Sequence, residues 1–248
     1  MAFNPVDFTD NEKPLPVILM LDISGSMSSG DKIKQLNAAV RTMINELKNT
    51  VANEISINLC VISFESDAKV YVPMTPIENV QWCDLTPGGG TELSKALKLA
   101  KSIIEDREQV PSRAYRPAVI LVSDGMPFDG WQKPMKDFIE NGRSSKCDRM
   151  SMLIGDIAAK SVMEEFLKGS GNQLFFATDA SQIGKFFKFV TMTTKARTLS
   201  KTPNATISMP SFDKENLLSD TVLARTPFNE GPAPTVVSSS SSEEDDDE

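Results

Sequence analysis

The chain has 248 residues, 40% of them hydrophobic, which is enough for one domain of ordinary to large size or for two small ones. Its net charge of −8 comes mostly from the last six residues, Glu243–Glu248, which contribute −6 and leave −2 for the rest, so a broad basic surface for nucleic acid is not indicated. There is no histidine, and the three cysteines, Cys60, Cys83 and Cys147, form no C-x-x-C pair. This composition argues against zinc, a disulfide scaffold and His-dependent catalysis, and it favours a reducing compartment.

The N-terminal segment 1–13 is predicted to be an extension of the folded domain. Its first residues, Met1–Asp10, lack the basic region and apolar run of a signal peptide. The longest apolar stretch in the chain, Leu15–Leu21, is too short to cross a membrane. We therefore expect a soluble, cytoplasmic protein without a membrane partner.

Short apolar runs alternate with segments of helical periodicity across residues 14–196. Runs that are apolar on both faces are typical of strands within a parallel sheet, and apolar residues three and four positions apart are typical of helices. The alternation predicts an α/β fold with a doubly wound, mostly parallel sheet, helices on both faces and one short antiparallel edge strand at Val70–Val72. In chain order, the other predicted elements are strand Leu15–Leu21, helix Asp31–Lys48, strand Ile55–Phe64, a helix from about Ser94, strand Pro117–Val122, helix Trp131–Asn141, strand Met150–Ile154, helix Ser161–Lys168, strand Gln173–Ala177 and helix Ser181–Lys195.

Residues 197–248 differ in composition from the rest of the chain. Five prolines interrupt any periodicity from Pro203 onward, and Ser238–Ser242 precedes the acidic run. Such a segment buries too little apolar surface to offset its chain entropy. We expect a mostly disordered, Pro/Ser-rich acidic tail.

Polar residues that suit a metal ion stand at the ends of the predicted elements in three places. Asp22, Ser24 and Ser26 follow the first strand in the pattern D-x-S-x-S. Thr91 follows three glycines before a helix, and Asp124 follows a later buried strand. Ligands of open parallel sheets bind beyond the carboxyl ends of the strands, and an all-oxygen set suits a hard cation such as Mg²⁺. The sequence therefore predicts one divalent metal site at these five residues, with Mn²⁺ or Ca²⁺ as alternative ions.

Each loop also has a simpler interpretation. The residues of D-x-S-x-S suit a helix N-cap, although Asp31 is available to cap the helix that begins at Lys32. Thr91 suits an ordinary loop, an N-cap or a phosphate cradle, but the lysine and spacing of a P-loop are missing. Asp124 suits a plain turn. The occurrence of all three at the ends of buried elements favours the metal site.

Four further residues lie near the same end of the predicted sheet. Asp129 and Asp156 are interpreted as solvated loop carboxylates rather than as the rim of the site. Phe128 and Trp131 are interpreted as packing onto the adjacent helix rather than as an exposed partner contact.

The segment Asp22-Ile23-Ser24-Gly25-Ser26 resembles the D-x-S-x-S motif of von Willebrand factor A (vWA) domains. Thr91 and Asp124 stand where that family has the other members of its metal-ion-dependent adhesion site (MIDAS). The resemblance covers about Pro14–Lys195. Within the family, the chain is most similar to intracellular bacterial and phage members associated with tellurite resistance and stress. The segments that carry this similarity are PVILMLDISGSMSSGDKIKQLNAAV, GGGTELSKALKLA and LVSDGMPFDG. The acidic tail is not expected of those members.

The resemblance implies a role for each residue. Ser24 and Ser26 coordinate the ion directly, Thr91 does so directly or through water, and Asp22 and Asp124 act mainly through water and hydrogen bonds. A partner's Glu or Asp fills the open position. The implied function is therefore metal-dependent protein binding without enzymatic activity.

Two other functions remain as alternatives. A Mg²⁺-dependent phosphohydrolase would use Asp22 as nucleophile, but Ser24 stands where such enzymes need a second aspartate. The second alternative is a structural or assembly protein whose metal ion only stabilises the fold.

Overall fold

The computed structural model describes residues 13–49, 56–200, 202 and 204. All of these residues belong to a single compact unit. Most of the predicted N-terminal extension and of the predicted acidic tail lies outside the described residues.

Six strands form one sheet in the order β3-β2-β1-β4-β5-β6. Neighbouring strands are parallel except for the antiparallel pair β2–β3. The strands are β1 Leu15–Asp22, β2 Ile57–Phe64, β3 Ala68–Pro76, β4 Ala118–Ser123, β5 Asp148–Ile154 and β6 Phe175–Ala177, and the α-helices are α1 Lys32–Lys48, α2 Leu93–Glu105, α3 Gln132–Glu140, α4 Lys160–Leu167 and α5 Ile183–Leu199. The doubly wound, mostly parallel sheet predicted from the sequence is confirmed.

The central strands are buried on both faces. Every residue of β1, β2, β4 and β5 is buried. Helices α2, α3 and α4 form one hydrophobic cluster with these strands, whereas α1 and α5 pack against each other and add no described residue to that cluster. Burial on both faces is the reason these strands are continuous apolar runs in the sequence.

The edge strands differ most from their predicted bounds. Strand β3 has nine residues rather than the predicted three. Only Val72 and Met74 in it are buried, and its two prolines interrupt the apolar pattern, so the sequence signal for this strand was weak. Pro73 and Pro76 fit in β3 because an edge strand has one side without ladder hydrogen bonds. Strand β6 has only three residues, and α5 continues to Leu199. None of the helices in the described part is both long and apolar enough to span a membrane.

Candidate metal centre

The predicted site residues lie where the strand order reverses. From the central strand β1 the chain continues to β2 on one side, and β4 lies on the other side. Asp22 is the last residue of β1, and Asp124 directly follows β4, so both carboxylates leave neighbouring strands at the same edge of the sheet. Ligands of doubly wound folds bind at such a switch point.

Four of the five predicted residues are connected by hydrogen bonds within the two strand-end loops. The Ser24 N–H donates to Asp22 Oδ1 at 2.8 Å. The Ser24 and Ser26 hydroxyl oxygens are 3.0 Å apart, and the Ser26 hydroxyl donates to Asp124 Oδ1 at 2.7 Å. The Ser26 side chain is exposed, whereas the other three residues are buried. These four residues therefore form one connected set of oxygens, of which Ser26 is the exposed member.

The loop that carries the fifth residue, Thr91, is attached to both strand-end loops by backbone hydrogen bonds. The Gly25 N–H donates to Gly89 O at 3.0 Å and the Gly88 N–H donates to Ile23 O at 2.8 Å, which attaches the glycine loop to the first strand-end loop. The Phe128 N–H donates to Thr91 O at 3.1 Å, which attaches the loop after β4 to the same segment. Thr91 itself is buried. The three loops are thereby fixed relative to one another.

The backbone conformation of Gly89 strongly favours glycine. Its φ is +71°, and a Cβ atom there would lie 2.1 Å from Glu65 Oε2 and 2.6 Å from Ser66 Oγ, in the turn after β2. A Cβ atom would force the Glu65 and Ser66 side chains to move, and the residue would be strained by its positive φ. Gly88 meets neither obstacle, because no atom lies within 4 Å of a Cβ built on it.

Both carboxylates are fully engaged by the chain itself. Asp22 Oδ2 accepts a hydrogen bond from the Ser123 hydroxyl at 2.5 Å, and Asp124 Oδ2 accepts one from Lys32 Nζ at 2.6 Å. Burial raises the pKa of the Asp22 carboxyl to about 6, against the opposing effect of its hydrogen bonds to Ser123 and Ser24. An ionised Asp22 is therefore costly unless a cation is close by.

The strand register accounts for the contact between Ser123 and Asp22. Leu21 of β1 is level with Val122 of β4, so the next residues along, Asp22 and Ser123, are adjacent. Ser123 was not among the site residues predicted from the sequence, although its position directly before Asp124 at a strand end was the available signal. Lys32 was noted only as the start of a helix.

Asp129 was also misinterpreted. The sequence suggested a solvated carboxylate, but Asp129 Oδ2 accepts a hydrogen bond from the Ser94 N–H at 2.7 Å and so caps α2 from another loop. The residue that precedes α2, Glu92, makes no such side-chain bond. Asp156, by contrast, is exposed and accepts from the Ala158 N–H in its own turn.

Two other predictions from the sequence were wrong. Asp31 precedes α1 with a left-handed backbone, φ 58° and ψ 14°, and its side chain makes no capping bond. An N-cap needs an extended backbone to direct its oxygen at the first helical N–H groups, and this conformation does not provide it. Phe128 is 85% exposed, whereas Trp131 is partly buried against the core as expected.

The donor set fits a divalent ion that prefers oxygen. Neighbouring oxygens in an octahedral Mg²⁺ site, with bonds of about 2.1 Å, lie roughly 3.0 Å apart. The Ser24 and Ser26 hydroxyl oxygens have this separation. Hydroxyls and carboxylates are hard ligands, which suit Mg²⁺ better than they suit Zn²⁺.

Comparison with known proteins agrees with this architecture. Residues 17–126 match the model of the von Willebrand factor type A domain. The fold is the vWA fold. The chain is 28% identical to an uncharacterized protein of Mycobacterium tuberculosis over 118 residues. The aligned region covers 46% of this chain and 18% of that protein.

Solved structures show the same vWA fold at low sequence identity. The ArnB paralog VWA2 of Sulfolobus acidocaldarius is 18% identical, with a TM-score of 0.53 and coverage of 70% of this chain and 44% of that one. Proximal thread matrix protein 1 of the mussel byssus, solved with a zinc-occupied MIDAS motif, is 16% identical, with a TM-score of 0.58 and coverage of 73% and 48%. The chain thus spans less than half the length of each of these three proteins.

Proposed function

We propose that the protein is a metal-dependent protein-binding module. One Mg²⁺ ion would be held by the predicted set Asp22, Ser24, Ser26, Thr91 and Asp124, and a Glu or Asp side chain of a partner protein would complete its shell. The observation that supports this most directly is the connected series of oxygens from Ser24 through Ser26 to Asp124 at the switch point of the sheet. vWA domains commonly mediate protein interactions, and a neighbour of the same fold has a metal-occupied MIDAS.

The chemistry of the set favours capture of an external carboxylate. When bound, the ion would supply an electrophilic centre. The hydroxyls of Ser24 and Ser26 are neutral and neutralise none of the ion's charge. Asp22 and Asp124 each already accept hydrogen bonds at both oxygens, so they are suited to act through water rather than by direct coordination. An anionic ligand from outside would therefore be strongly attracted.

Exposed apolar side chains on neighbouring loops suggest how a partner would be recognised. Phe128, after β4, is 85% exposed, and Ile157, after β5, is 65% exposed. Because β4 and β5 are adjacent and parallel, both residues lie at the edge of the sheet that bears the metal site. Interfaces commonly combine such apolar contacts with a few polar anchors. We propose a partner surface with one carboxylate flanked by apolar side chains.

The enzymatic alternative has less support. The vWA neighbours are mostly adhesion or structural proteins, and Ser24 occupies the position where a phosphohydrolase of the kind considered would need an aspartate. The tellurite-resistance or stress setting and the cytoplasmic location stay predictions from the sequence resemblance.

Affinity capture tests the proposed function. The wild-type chain serves as bait for extracts of its host, once in Mg²⁺ and once in EDTA. The Asp22→Asn variant serves as bait in Mg²⁺. We expect a partner to be recovered only by the wild type in Mg²⁺. The matched control is Asp156→Asn, which alters an exposed carboxylate at the same edge and should retain the partner. Equal recovery in all samples would show that binding does not use the metal.

Two further variants separate the parts of the proposal. Phe128→Ser should reduce partner recovery while leaving calorimetric Mg²⁺ binding unchanged, because the side chain is exposed and is not a proposed ligand. Removing residues 205–248, which leaves α5 and its buried C-terminal residues intact, should leave recovery unchanged. Loss of the partner in this truncation, with retention in Asp22→Asn, would instead favour the assembly-protein alternative. Parallel titrations with Mn²⁺, Ca²⁺ and Zn²⁺ identify the preferred ion.

A further inference from the structure

The Lys32 side chain contributes a positive charge inside the proposed metal site. Its Nζ lies 2.6 Å from Asp124 Oδ2, where the Asp124 side chain is fully buried and the Lys32 side chain is 20% exposed. Lys34, on the same helix, differs, because its side chain is 80% exposed and contacts Asp31 at the surface. An ion pair on a buried carboxylate is screened little by solvent.

The net charge of the site is therefore not given by the five predicted ligands alone, because Lys32 also contributes to it. Asp22 and Asp124 give two negative charges when ionised, and the Lys32 ammonium reduces the total to one. A divalent ion would bring the site to one net positive charge instead of to neutrality. Lysine has a long, flexible stem, so the ammonium is able to move toward solvent when a stronger cation arrives.

We propose that Lys32 is a built-in counter-cation that competes with the divalent ion for Asp124. This inference rests on the proposed function. Without the ion, the ammonium neutralises the buried carboxylate and holds it beside Ser26. With the ion bound, the excess positive charge weakens ion affinity and is relieved when a partner's carboxylate enters the shell. Lys32 thereby makes binding of the ion and binding of the acidic partner mutually reinforcing.

The expected effect follows from electrostatics. A unit positive charge about 6 Å from a divalent ion lowers its affinity by roughly tenfold even at the dielectric constant of water. Replacing Lys32 by the uncharged Met, which preserves most of the apolar stem, should therefore increase the affinity for Mg²⁺ alone by about tenfold or more.

Isothermal titration calorimetry of the full-length chain with MgCl₂, without a partner, tests this. We expect Lys32→Met to bind Mg²⁺ at least about tenfold more tightly than the wild type, and Lys32→Arg, which retains the charge, to bind like the wild type. Lys34→Met is the matched control, since it removes the same charge from the same helix at an exposed position, and its affinity should stay within about twofold of the wild type. Mg²⁺ should also raise the melting temperature of Lys32→Met more than that of the wild type.

The outcomes are distinguishable from failure of the proposed function. Wild-type or weaker Mg²⁺ affinity in Lys32→Met overturns the inference and leaves the proposed function intact. A lack of Mg²⁺ binding in wild type and Lys32→Met alike overturns both. Circular dichroism checks the folding of each variant, and Lys32→Gln, which retains a hydrogen-bond donor for Asp124, is titrated in place of a Met variant that does not fold.

Discussion

Asp22→Asn is expected to stabilise the protein in the absence of a metal and to abolish its response to Mg²⁺. The Asp22 side chain is buried at the end of β1, where its carboxylate accepts hydrogen bonds from the Ser24 N–H and the Ser123 hydroxyl. An asparagine fits the same space. Its oxygen accepts from Ser24, its NH₂ group donates to the Ser123 oxygen, and the Ser123 hydroxyl is free to turn to Gly125 O, 3.3 Å away.

The magnitude follows from the pKa of Asp22. Burial raises this pKa from 3.8 to about 6, so the ionised form costs about 3 kcal/mol in the folded state relative to the unfolded chain. Because the folded-state pKa is the higher one, this carboxyl favours folding most below pH 3.8, and that contribution is lost as the pH rises through 6. The variant lacks this titration. Its advantage in the free energy of unfolding should be about 3 kcal/mol at pH 8 and roughly half of that at pH 5.

Urea unfolding in EDTA at pH 8 and pH 5 measures this difference. Repeating the experiment in Mg²⁺ should narrow it, because an ion at 100 times its Kd adds about 2.7 kcal/mol to the wild type and nothing to the variant. Asp156→Asn is the control and should change stability by less than about 0.5 kcal/mol at either pH. The reasoning is refuted if Asp22→Asn is less stable than the wild type at pH 8 in EDTA, or if the difference does not depend on pH.

Two other predictions concern the packing of the three loops. Gly89→Ala should lower the free energy of unfolding by roughly 1–3 kcal/mol and weaken Mg²⁺ binding, because the added Cβ clashes with the turn after β2 and the backbone has a positive φ. Urea unfolding and calorimetry measure this, and equal losses in the unobstructed Gly88→Ala would contradict it. Asp129→Ala should cost about 0.5–2 kcal/mol in urea unfolding through loss of its cap on Ser94, while Asp129→Asn, which retains the acceptor, should stay near the wild type. Identical stability of Asp129→Ala and the wild type would show that this cap contributes nothing.

Local sequence patterns determined most of the fold. Continuous apolar runs predict strands buried on both faces, and Leu15–Leu21 lies within β1 Leu15–Asp22. Helical spacing likewise predicted α1, and the predicted start at Asp31 is within one residue of the observed Lys32. The pattern weakens at the edge strand β3, where only two residues are buried and two prolines interrupt the run, so its length was underestimated. The five candidate ligands were identified because each lies at the end of a strand or before a helix, which is a property of the chain alone.

The charge and hydrogen bonding of the site were decided only by the tertiary structure. Lys32 and Asp124 are 92 positions apart, and Ser123 and Asp22 are 101 apart, so no local pattern relates them. Their contacts depend on the register of β1 against β4 and on the path of the turn that leads into α1. The same holds for Asp129, whose carboxylate satisfies an N–H group of a distant helix. The sequence thus determined which oxygens are available for a metal. The packing of the loops determined that Lys32 forms an ion pair with Asp124, because the fold brings the lysine ammonium to this buried carboxylate.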